Sequence, residues 1–132
     1  MMFRSAFIVG MVALGAANMA SAADVEPFTL ESFHAAQAAG RPVLVDVHAD
    51  WCPTCRAQEP TLKAIEADPA FAKLVVLIVD FDSQKEEKKA LGVRQQSTLI
   101  AFAGSVEKGR SVGVTDEAAI RDLASSALKG TK

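Results

Sequence analysis

The sequence predicts a single α/β domain with a central mixed β-sheet flanked by helices. Three observations carry that expectation. The 132 residues leave room for one domain and not two. Short Val-rich apolar runs alternate with segments of helical spacing bounded by capping residues and glycines. The last two apolar runs follow each other too closely for a helix to lie between them.

The elements follow in order. Residues 1–22 read as a secretory leader. Arg4 is the basic start, Ala6 to Leu14 the apolar stretch, and Ala20-Ser21-Ala22 a small-x-small cleavage site. The domain is then expected over residues 23–132, in an oxidising compartment where two cysteines can pair. Thr29 caps a first helix that Gly40 closes, with Leu30 and Phe33 on one face. Val43-Leu44-Val45-Asp46-Val47 reads as a buried strand holding one carboxylate. A helix follows from Cys52 to Glu66, with Pro60 inside it. Leu74 to Val79 is the clearest strand. Ser83-x-x-Glu86 has the pattern of a capping box, and Gly92 ends the short helix it opens. Thr98 to Phe102 is a third strand, and Ser111 to Val114 a fourth at the sheet edge. Thr115 caps the last helix, whose apolar stripe is Ile120, Leu123, Ala124 and Leu128. Strands joined by helices should pair in parallel, and the last two should form a hairpin.

Composition removes several function classes. Half the residues are hydrophobic and 23% charged, which excludes wholesale disorder. The net charge of -2 speaks against binding nucleic acid or anionic membranes through bulk charge. Two cysteines are too few for a disulfide-dense scaffold or a four-cysteine zinc site. There is no glycine-rich phosphate loop and no clustered histidine-carboxylate site. Lys85 to Lys89 reads as a solvated helix face.

The chemistry concentrates in Trp51-Cys52-Pro53-Thr54-Cys55, between a strand and a helix. Two cysteines three apart at a helix start face one side, close enough for a disulfide. A bridge closing so short a loop gives only about 2 kcal/mol by the chain-entropy account, against about 4.7 for a hundred-residue loop. It is a poor staple, which points to redox use. Cys52 lies at the helix N-terminus, where unpaired N–H groups and the dipole favour a thiolate. It is expected to attack; Cys55, one turn deeper and less exposed, resolves the mixed disulfide.

The stretch from Val43 to Cys55 resembles the active-site strand and motif of the thioredoxin family. Pro60, Gly92 to Phe102 and Val112-Gly113 match further family features, so the resemblance spans residues 28 to 128. It implies the thioredoxin fold and dithiol–disulfide exchange with no cofactor or metal. It also implies that Asp46 is the buried acid that handles the Cys55 proton, and that Trp51, Pro53, Thr54, Gln96 and Ser97 form the substrate surface. His48 reads as a surface or partly packed histidine near the site. Ala49-Asp50-Trp51-Cys52 is similar to the C-terminal domain of the membrane reductant transporter DsbD.

Ser97 departs from the family, which carries a cis-proline there. A non-proline cis bond costs about 2.5–4 kcal/mol, so a trans bond is expected. This puts in question the family's backbone pairing with substrate at Gln96. The Ser97 hydroxyl could hydrogen-bond the Cys52 thiolate or open the pair to soft metals; a tolerated variant is the other reading.

The expected function is reduction of disulfides in exported, periplasmic proteins by a monomer recharged through a DsbD-type transporter. A thiolate copper or zinc binder, and a disulfide oxidant or isomerase, are the competing readings.

Overall fold

A computed structural model describes residues 22–130. The leader expected over residues 1–22 lies outside the described residues, save Ala22. No helix among the described residues is long and apolar enough to cross a membrane.

Five strands form one sheet. They are β1 (Asp24–Pro27), β2 (Pro42–His48), β3 (Val75–Asp80), β4 (Thr98–Ala103) and β5 (Val106–Val112), in the order β1-β3-β2-β4-β5. β3 pairs in parallel with both β1 and β2, while β4 runs antiparallel to β2 and β5. The expected parallel pair and terminal hairpin are both present. Four helices cover the sheet: α1 (Leu30–Ala38), α2 (Pro53–Ala67), α3 (Lys85–Leu91) and α4 (Glu117–Leu128).

The period of two along β2 decides the two cores. Val43, Val45 and Val47 point into one, with Phe33 and Ala36 of α1 and Leu91 of α3. Leu44 points into the other, with Leu62 and Ile65 of α2 and Ile120, Ala124 and Ala127 of α4. Asp46 and His48 lie on the Leu44 side, so the strand acid faces α2 by register alone.

Several sequence expectations shift. The exposed four-residue strand β1 was not anticipated: its two acids and a proline hide it, and only its edge position tolerates Pro27. β5 starts at Val106 and not at Ser111. Its charged residues suit an edge, which they protect from foreign strands. Thr29 does cap α1, and Ser32 completes a capping box, but Leu30 is exposed and Ala36 takes its core place. The Ser83 capping box does not form. Gln84 occupies the cap position of α3, and its side chain instead bonds Asp80 N–H and the Phe28 carbonyl. Asp116, not Thr115, caps α4 by accepting from Ala119 N–H. Leu128 is exposed, and Ala127 is buried in its stead.

Candidate active site

β2 ends at His48, and the chain turns through Ala49, Asp50 and Trp51 into α2. Cys52 is the N-cap of α2, with its Sγ accepting the Cys55 N–H at 3.0 Å. A sulfur thus satisfies a donor that a helix start leaves unpaired. Pro53 follows in the first turn, where its missing N–H costs nothing. Cys55 Sγ lies 3.9 Å from the Val47 carbonyl, and no disulfide joins the two cysteines.

The expected order of exposure is corrected. Cys52 is 0% exposed and Cys55 2%, so neither is an outer sulfur. Cys52 is turned inward to cap its own helix, and Ala49 and Phe81 pack on the pair. Burial and the hydrogen bond to Cys52 push the Cys55 thiol up to about 11, with backbone groups of Ala49 and Ser97 pulling the other way. Cys55 therefore holds its proton firmly and needs a base to release it.

Asp46 lines the same cleft as Cys55. It is buried, and desolvation raises its carboxyl from 3.8 to about 6; His48 pulls it back down. Asp46, His48 and Cys55 line one cleft of about 130 Å3, together with Glu59, Lys63 and Glu66 of α2. The cleft is large enough to admit water.

The expected docking residues surround the pair. Trp51 is exposed, its Nε1 donates to Asp82 at 2.9 Å, and its ring meets Phe81 edge-on. Pro53 is exposed, while Thr54 and Gln96 are half-buried. Ser97 is buried, and every peptide bond among the described residues is trans. Its φ of 56° is the only left-handed backbone among the described non-glycine residues. Three hydrogen bonds to its backbone fix it: its N–H donates to the Val47 carbonyl, and its carbonyl accepts from Gln58 Nε2 and Gly113 N–H. The Ser97 hydroxyl donates to the Gln96 carbonyl at 2.6 Å and not to Cys52, which corrects that expectation.

Gln58 was missed. It is fully buried, and its amide also donates to the Val114 carbonyl at 2.9 Å, joining the two loops beside the cysteines to α2. Its signal was available: Cys55, Gln58, Leu62 and Ile65 form one helical stripe, and the glutamine is its polar interruption. No group of three or more His, Cys, Asp or Glu able to hold a metal occurs among the described residues.

The thioredoxin family model matches residues 24–126, nearly all of the described fold. The chain belongs to the thioredoxin family. It is 34% identical over 101 residues to a thioredoxin from Chlamydia trachomatis, covering 76% of this chain and 96% of that one. Among solved structures, Trxlp from Edwardsiella tarda matches with a TM-score of 0.74 at 46% identity, covering 76% of this chain and 98% of that chain. A mutant thioredoxin from Halobacterium salinarum matches at 0.66 and 27% identity, over 89% of this chain and all of that one. The fold is the thioredoxin fold, and the chain is a thioredoxin-like thiol–disulfide oxidoreductase with Cys52 and Cys55 at family spacing.

Proposed function

We propose that this oxidoreductase reduces disulfides of exported proteins in the periplasm, at its Cys-Pro-Thr-Cys motif. The observation that carries the mechanism is the shared cleft of Cys55 and Asp46 behind a cysteine that caps α2. A substrate lands on Trp51 and Pro53, with Thr54 and the Gln96–Ser97 loop alongside, and Cys52 turns out of its buried cap position to meet it. The Cys52 thiolate attacks one substrate sulfur. The substrate disulfide breaks, a mixed disulfide forms, and the released sulfur takes a proton from solvent. Asp46 takes the Cys55 proton, and the Cys55 thiolate attacks Cys52 Sγ. The second substrate sulfur leaves and is protonated by solvent, and the cysteine pair is left oxidised. No cofactor enters.

The leader pattern of residues 1–22 supports export, and the likeness of residues 49–52 to DsbD supports rearming by a membrane reductant transporter of that kind. The uncharged Pro53-Thr54 spacer supports the reductive direction: no histidine between the cysteines stabilises the reduced form, as a strong oxidant requires. The test is the equilibrium reduction potential of the pair. A value near the about -270 mV of thioredoxin is expected; one near the about -120 mV of DsbA would make the chain an oxidant.

A further inference from the structure

We propose that His48 is a positioning residue for the exchange reaction, carrying the proton that Asp46 takes from Cys55 out to solvent beside Asp50. The inference rests on the proton-accepting role of Asp46 given above.

A buried acid serves more than one turnover only if its proton can leave. The fold offers a route. Asp46 and His48 are two apart on β2, so both side chains stand on the α2 side of the sheet. Both line the cleft that holds Cys55. The imidazole also meets Asp50, with Nε2 3.1 Å from Oδ1. The His48 side chain is 31% exposed and that of Asp50 is fully exposed, so the imidazole spans from the cleft to water.

Other charged groups face this route without replacing it. Lys63 and Glu66 of α2 are paired with each other at 3.2 Å. Glu59, also of α2, adds negative charge near Asp46. Asp80 of β3 lies beside His48 in register, but its carboxylate is taken by Ser83 and the Asp82 N–H. An imidazole has two ring nitrogens, one able to accept a proton while the other donates, which a lysine paired with Glu66 lacks. In the step itself, the Cys55 proton passes to the Asp46 carboxylate as the Cys52–Cys55 bond forms and the substrate sulfur departs. Asp46 then hands the proton to His48, which releases it to water at Asp50. No electrons move beyond those of the disulfide exchange.

The test follows the single-turnover resolution rate of the full chain with insulin as disulfide substrate, from pH 5 to 8 in weakly buffering solution. His48→Gln keeps a polar partner for Asp50 but carries no proton. It should slow resolution about tenfold at neutral pH, with added imidazole restoring the rate and leaving the wild type unchanged; His48→Asn should behave alike. A merely structural histidine would show no imidazole rescue. Asp46→Asn separates the two readings. If it is slow while both His48 variants follow the wild-type profile, the His48 route is overturned and Asp46 stands. If Asp46→Asn itself resolves normally, the role of Asp46 falls and the route with it.

Discussion

The two faces of the central sheet differ in kind. The face under α1 and α3 is apolar but for Thr98 at the end of β4, with Val43, Val45 and Val47 meeting Phe28, Phe33 and Phe102. The face under α2 and α4 has an equally apolar half around Leu44, Leu62 and Ile120, but toward the ends of β2 and β3 it accepts Asp46, His48, Gln58 and the two cysteines. One strand, β2, builds both faces from alternate residues. The difference teaches where stability is gained and where it is given up. The apolar face contributes stability and no chemistry. The mixed face keeps a carboxyl where its charged form is disfavoured, in the cleft that Cys55 also lines.

The largest expected effect lies on the apolar face. Phe33 is buried, with its ring 5.0 Å from that of Phe102. Phe33→Ala should cost about 3–5 kcal/mol in urea unfolding, yet leave the exchange rate of the folded fraction unchanged. A loss of rate in that fraction would mean the faces are not separable.

On the mixed face the sign should reverse. Asp46 ionises at 3.8 when unexceptional and at about 6 in the native protein. Below the lower value both native and unfolded chains are protonated. Between the two only the unfolded chain ionises, so native stability falls as pH rises through that window, by about 3 kcal/mol in total. Asp46→Asn removes this cost. It should stabilise the protein by up to that amount at pH 7 and by little near pH 3, while slowing resolution about 10²-fold. Unfolding curves at the two pH values check the first part; equal stability of the variant and wild type at pH 7 would refute it.

Much of this division was legible in the sequence. Val43 to Val47 announces a strand buried on both faces, and the carboxylate inside it stands out because nothing else in the run is polar. The cysteine spacing and Thr29 and Gly40 at the ends of α1 are local signals that held, while the expected cap at Thr115 lost to its neighbour Asp116. Most of what else failed depended on distant partners. β1 has no propensity to recommend it and exists because β3 offers an open edge. The Ser83 box lost to Gln84, which finds Phe28 far away in the chain. Gln58 matters through Ser97 and Val114, which no helical pattern connects. The burial of Cys52 could not be read from its position at a helix start, because Ala49 and Phe81 supply the cover.

That burial makes trapping the sharpest measurement of the central claim, that Cys52 leaves its cap to attack. The Cys55→Ser variant, mixed with insulin and mapped by mass spectrometry, should carry a reductant-sensitive mixed disulfide on Cys52, with none formed by Cys52→Ser. A native protein whose Cys52 forms no adduct and resists alkylation until the chain unfolds would contradict the account.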